Sequence, residues 1–226
     1  MRIGILGGMS YESTLKYYQL LLEKYYQEKQ NYSYPEIVVF SLNFQKVIDY
    51  ELGEDKEKYI EYLMEGISSL ENAGVDFIFM TANSPHAVYQ ELKNQTKLPI
   101  LSIVTATVEE AKREKMKKLL LLGIKFTMQS TFYQQEFKDF RMEVLTPSER
   151  EQNEINTIIF NELVIGIFKE KSKQKLLNII SNYQVDGVIL GCTELPLILK
   201  QKDCNVKLLD TVEIHINAVL NYYFSR

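Results

Sequence analysis

The stretch QVDGVILGCTELP (184–196) has a counterpart in GVDFIFMTANSPH (74–86), displaced by 110 residues. Val75 aligns with Val185, Asp76 with Asp186, Met80 with Leu190 and Ala82 with Cys192. In both, an aspartate opens a short apolar run that ends in small polar residues. Such a run, apolar at successive positions, is the pattern of a strand buried on both faces, as parallel sheets require. The correspondence extends outward. PILS (99–102) is matched by KLLD (207–210), and RIGILG (2–7) by KLLLLG (118–123). Two similar α/β halves are therefore expected, the first covering 1–105 plus a C-terminal helix at 211–226, the second 106–210. Chance likeness between two strand and loop units, which share patterning for physical reasons, is the competing explanation.

Eight strands are expected in all: IGIL (3–6), EIVVFS (36–41), DFIFM (76–80), PILSI (99–103), KLLLLG (118–123), MEVLT (142–146), GVILG (187–191) and VKLLD (206–210). Their alternation with helical periodicity points to parallel sheets. Between the second and third strands, Ile60, Leu63, Ile67 and Leu70 recur at helical spacing, and Gly74 follows as a helix stop.

Composition narrows the function. A net charge of −4 has the wrong sign for a nucleic-acid binder, and KREKMKK (112–118) reads as the solvated end of a helix. No apolar run approaches the roughly 18 residues that span a bilayer. The short MRIGILGG start is not followed by a signal-peptide cleavage region. A cytoplasmic protein is the expectation. Cys192 and Cys204 lack C-x-x-C spacing and the chain has only His86 and His215, so neither a zinc site nor a disulfide is expected.

In a parallel sheet the functional loops follow the carboxyl ends of the strands. Three such loops carry polar chemistry. GGMSYEST (7–14) can receive an anion, through glycines that allow close approach and serines that equally serve as a helix cap. It has neither the G-x-G-x-x-G nor the GK[ST] of a nucleotide loop. Asn83, Ser84 and Thr193 suit a small polar ligand, although each is also a common cap residue. Cys192 is expected at the N-terminus of a helix beginning TELPLIL, where a thiol is more acidic than its usual value of about 8.5 and can give or take a proton. A buried inert cysteine is the alternative. Cys204, in QKDCN, reads as incidental.

Taken together, ILGGMSYEST (5–14), NSPH (83–86), the G-x-x-x-T of GIKFT (123–127) and GCTE (191–194) resemble the aspartate/glutamate racemase family, in particular its bacterial L-aspartate/glutamate-specific branch. The resemblance implies two Rossmann-like halves related by a pseudo-twofold axis, with the active site in the cleft between them. It also implies a homodimer and amino-acid racemization with no cofactor and no metal. In the family, two cysteines remove and return the α-proton, each directly after one of the two aligned strands. Cys192 is the second. Ala82 stands where the first belongs; Thr81, one residue earlier, is the substitute considered, with His86 the second choice. Met9, Ser10, Asn83, Ser84, Thr127 and Thr193 are the candidates for binding substrate. The positions that bind a distal carboxylate in archaeal aspartate racemases fall on Lys46, Val47 and Val164. Two other functions compete. Arylmalonate decarboxylases keep a single cysteine, because loss of carbon dioxide leaves one protonation to perform. A catalytically silent binder of an amino acid or carboxylate would need none.

Overall fold

A computed structural model describes residues 1–53 and 55–226. The chain divides into two compact units, Met1–Ile103 with His215–Arg226, and Val104–Ile214. The first contains β1 (Arg2–Gly7), α1 (Tyr11–Lys29), β2 (Glu36–Ser41), α2 (Phe44–Leu52), α3 (Lys56–Asn72), β3 (Phe77–Met80), α4 (Tyr89–Gln95) and β4 (Ile100–Leu101). Next, α5 (Ile103–Arg113) leads into β5 (Lys118–Leu122), α6 (Lys125–Gln129), α7 (Phe132–Lys138), β6 (Glu143–Leu145), α8 (Glu149–Asn161) and α9 (Glu170–Ser181). The second unit continues through β7 (Gly187–Leu190), α10 (Leu195–Ile198) and β8 (Lys207–Asp210), and α11 (Thr211–Phe224) returns to the first.

Each unit is built on a four-stranded, all-parallel sheet, ordered β2-β1-β3-β4 in one and β6-β5-β7-β8 in the other. The two orders are the same once β1 is matched with β5 and β3 with β7. Residues 110 apart also make the same bonds. Asp76 accepts from the Arg2 backbone N–H at 2.5 Å and donates its own N–H to Arg2 O at 2.8 Å. Asp186 does the same with Lys118, at 2.9 and 2.7 Å. At the far ends, Thr81 N–H donates to Leu6 O and Gly191 N–H to Leu122 O. The repeated aspartate thus pins the start of each inner strand to its neighbour. This is an α/β fold with two similar halves.

All eight expected strands form, several trimmed by one residue, MEVLT reduced to Glu143–Leu145 and PILSI shortened most. PILSI contributes only Ile100–Leu101, because this edge strand has a partner on one side alone and Ile103 already begins α5. The periodic apolar residues of α3 do what their spacing implies: Leu63, Ile67 and Leu70 are buried against Leu6, Ile78 and Met80. Each such side chain contributes about 1.5–3 kcal/mol when taken from water. Asp55 caps the start of α3 by accepting from Lys58 N–H, and beyond its end Gly74 adopts φ +71°, a left-handed conformation costly to any residue with a Cβ. In the second unit, Ile155, Ile158 and Ile159 of α8 and Leu176, Ile179 and Ile180 of α9 close over Leu120, Leu122, Val188 and Leu190. Helix α5 ends at Arg113 and the lysines at 112, 115 and 117 are exposed. Among the described residues no helix is long and apolar enough to cross a membrane.

Candidate active site

In the first unit the loops after β1 and β3 are tied together by hydroxyl groups. Gly8 has φ +82°, and a Cβ there would lie 2.3 Å from Leu42 O, so the loop packs against backbone in a way only glycine permits. Gly8 N–H donates to Thr14 Oγ1 at 2.8 Å, Thr14 Oγ1 donates to Ser10 O at 2.8 Å, and Ser13 Oγ donates to Thr81 O at 2.6 Å. Ser10 caps α1, its Oγ accepting from Ser13 N–H at 3.2 Å. Met9 is 6% exposed and lies in the apolar core of this unit.

Thr81 is fully buried, and its hydroxyl lies 3.3 Å from that of Thr14. Ala82, Asn83 and Ser84 follow it, all buried. Asn83 precedes the short turn 84–88 without making a side-chain cap bond to it. His86, the other sequence candidate for a proton carrier, is committed elsewhere. Its Nδ1–H faces Asn83 O at 3.2 Å, its Nε2 accepts from Ile103 N–H at 3.3 Å, and its ring stacks on Tyr89. Burial pulls its pKa down to about 3, so the ring is neutral and both nitrogens are occupied. His215 is likewise buried and neutral, with Nε2 at 3.0 Å from Leu101 O and pKa lowered to about 4 by desolvation.

In the second unit β7 delivers Gly191, Cys192, Thr193 and Glu194, all buried. A Cβ on Gly191 would fall 2.7 Å from Leu121 Cδ1 and 3.0 Å from Leu122 O, so glycine lets the loop fold back on β5. The expected helix start at Cys192 is corrected here. Only one helical turn, α10, forms, and it begins three residues later at Leu195 before the chain becomes extended at Leu199. A single turn has little of the aligned-dipole charge of a full helix, so the acidity argument for the thiol loses its basis.

A carboxylate stands there instead. Cys192 Sγ donates to Glu194 Oε2 at 3.0 Å, and Thr193 Oγ1 donates to the same oxygen at 3.0 Å. The shared acceptor fixes both donors, so the thiol S–H and the Thr193 hydroxyl point at one carboxylate oxygen. Sequence reasoning quoted GCTE but gave Glu194 no role; its adjacency to the cysteine was the available signal. Thr127, in α6, is 1% exposed and its hydroxyl has no hydrogen-bond partner. A buried hydroxyl left unpaired costs free energy unless a ligand or water meets it.

Of the positions that match the distal-carboxylate sites of archaeal aspartate racemases, Lys46 is exposed with its Nζ 5.4 Å above the Tyr62 ring, and Val47 is buried in the core. Among the described residues no lysine or arginine is buried, and no group of three His, Cys, Asp or Glu is placed to hold a metal ion.

Residues 6–219 match the profile of the Asp/Glu/Hydantoin racemase family. The chain is 27% identical to a protein of Bacillus subtilis (strain 168) named broad specificity amino-acid racemase RacX, over 99% of this chain and 98% of that one. Among solved structures it is similar to an aspartate racemase homologue from Pyrococcus horikoshii OT3. Their TM-score is 0.83 at 37% identity, covering 98% of both chains. Campylobacter jejuni glutamate racemase, at 19% identity and a TM-score of 0.68, shares the fold. With a family profile spanning nearly all of both units, the chain belongs to the Asp/Glu/Hydantoin racemase family.

Proposed function

We propose that this chain is an amino-acid racemase that removes and returns the α-hydrogen without a cofactor, with Cys192 as its acid/base. The observation that carries the reading is the buried Cys192–Glu194 pair directly after β7. Passing the thiol proton to Glu194 gives a thiolate, and the thiolate takes the α-proton of one enantiomer. The resulting carbanion is stabilised by hydrogen bonds to its carboxylate from Asn83, Ser84 and Thr127, and from Thr193, whose hydroxyl is released from Glu194 when that carboxylate takes the thiol proton, with Met9 and Ser10 shaping the loop after β1. The unpaired Thr127 hydroxyl supports this use.

Inversion also needs an acid on the other face of the carbanion. The repeat offset assigns that place to Ala82, which has none. Thr81 is the nearest substitute, but a hydroxyl is a poor acid at neutral pH and this one is already in contact with Thr14. Cys192 therefore returns most protons to the face they left, and exchange with solvent outruns inversion. The name of the Bacillus relative, broad specificity amino-acid racemase, supports a substrate range wider than aspartate and glutamate. Two free cysteines suit the cytoplasm. The exposed Tyr11, Leu15 and Tyr18 along α1 suit a homodimer.

Incubation in deuterium oxide with L-aspartate, L-glutamate and a panel of neutral and basic amino acids tests the reading. Loss of the α-proton signal is expected. Binding without exchange would instead mark a silent binder. The single thiol also favours a second reading, an arylmalonate-type decarboxylase, for which carbon dioxide release from phenylmalonate is the readout.

A further inference from the structure

Gly191 separates Cys192 from β7, and a residue without a Cβ leaves the chain free to leave the strand in many directions. The direction of the thiol therefore depends on what holds the peptide in front of it. That peptide, Leu190–Gly191, is held from both sides. Its N–H donates to Leu122 O of β5 at 2.7 Å. In a trans peptide the carbonyl points the opposite way, and Leu190 O accepts from Thr211 Oγ1 at 2.8 Å. Thr211 is fully buried and is the first residue of α11. Its place is set by Asp210 at the end of β8, whose Oδ1 accepts from Val212 N–H at 3.0 Å and Glu213 N–H at 3.2 Å. Beyond the glycine, Cys192 O accepts from Leu195 N–H at 3.1 Å.

The repeat indicates that this hydroxyl is not a general need of the fold. With PILS (99–102) matched by KLLD (207–210), Thr211 falls opposite Ile103, which has no hydroxyl, and the loop on that side carries Ala82 where the second unit carries Cys192. Hydroxyl and thiol thus occur together in one half and are both missing at the matched positions of the other. We propose that Thr211 is a positioning residue for Cys192: its hydroxyl fixes the Leu190–Gly191 peptide, and so holds the sulfur where it meets both the α-hydrogen and Glu194 Oε2. This rests on the reading that Cys192 moves the α-proton. Thr211 acts through the backbone and not on the substrate. A misplacement of about 1 Å at a reacting atom can cost about 10²-fold in rate, so a bond two residues from the sulfur is close enough to govern it.

Thr211→Val exchanges the hydroxyl for a methyl group of the same shape, whereas Thr211→Ser keeps the hydroxyl and drops the methyl. Exchange of the α-proton in deuterium oxide, with L-alanine, L-glutamate and L-lysine as probes, is followed against substrate concentration, and Tm is measured for each protein. In Thr211→Val kcat is expected to fall about 10- to 100-fold, with KM unchanged because the residues proposed to hold the carboxylate are untouched. Thr211→Ser should keep most of the wild-type kcat. A hydroxyl that serves the fold alone would lower Tm in Thr211→Val and leave kcat where it was, and that result overturns the proposal. So does a rise in KM at unchanged kcat, which would put Thr211 in substrate binding, and so does a Thr211→Ser protein as slow as Thr211→Val, which would assign the effect to the methyl group. If Thr211→Val does not fold, Thr211→Ala removes the same hydroxyl and is read in the same way; if neither folds, the hydroxyl belongs to the fold and the proposal is overturned. Wild-type protein that exchanges none of the three amino acids would remove the racemase reading, and this inference with it, whereas full kcat in Thr211→Val removes this inference alone.

Discussion

Replacing Ala82 by cysteine restores a thiol at the position that the repeat pairs with Cys192. Ala82 is 6% exposed in the core of its unit, so the added sulfur must be accommodated by Leu42, Val88 and other apolar neighbours. Overpacking of this kind costs about 1–3 kcal/mol, within the stability of an ordinary domain of about 5–15 kcal/mol, so the variant is expected to fold. Its chemical effect is larger. A positioned proton donor is worth about 10²- to 10⁴-fold, and the lower end applies because the surrounding residues have not been tuned to a thiol. Inversion, followed by chiral chromatography of a single starting enantiomer, should rise about 10²-fold, while α-proton exchange changes little because Cys192 already supplies it. A folded Ala82→Cys protein whose inversion rate is unchanged on every amino acid that exchanges would refute the pairing of positions 82 and 192.

Other outcomes follow from single residues. Glu194→Gln removes the acceptor that takes the Cys192 proton, and exchange should fall about 10²-fold with little change in KM. Thr127→Val should raise KM by about 10- to 100-fold, the worth of a hydrogen bond to a charged ligand, yet leave Tm unchanged or higher because the deleted hydroxyl has no partner in the free protein. His86 and His215 are neutral when folded, with pKa values lowered to about 3 and about 4, against about 6.5 when unfolded. The unfolded chain therefore binds protons that the folded chain does not, and stability is lost as pH falls below about 6.5. Each histidine contributes a slope of about 1.4 kcal/mol per pH unit down to its folded pKa. Urea midpoints measured from pH 7 to pH 4 should show this fall, and a flat profile would contradict the burial of both rings.

Much of the fold was legible because parallel strands announce themselves twice, once as continuous apolar runs and once as a repeat. The offset between Asp76 and Asp186 marked residues that turned out to pin the same strand junction in each sheet. The strand at 99–103 was overextended, since nothing in PILSI reveals that an edge position lets a helix begin at Ile103. The site was legible in its residue types but not in their bonds. TELPLIL carries helical spacing, yet only one turn forms, and the partner of Cys192 is the Glu194 carboxylate. Thr81 and Thr14 lie 67 residues apart, so their contact arises only once the first sheet has folded. His86 looked titratable in sequence because burial on every side, which disfavours its charge, has no local signature.

The central claim is that one thiol, Cys192, moves the α-proton. The most direct measurement compares α-deuteration with inversion in deuterium oxide, starting from a single enantiomer, for wild type and for Cys192→Ser. The account predicts deuteration that exceeds inversion in wild type, with configuration mostly retained, and loss of both in Cys192→Ser, because a serine hydroxyl is far less acidic than a thiol. Exchange that survives in a folded Cys192→Ser protein would contradict it, as would inversion as fast as deuteration in wild type.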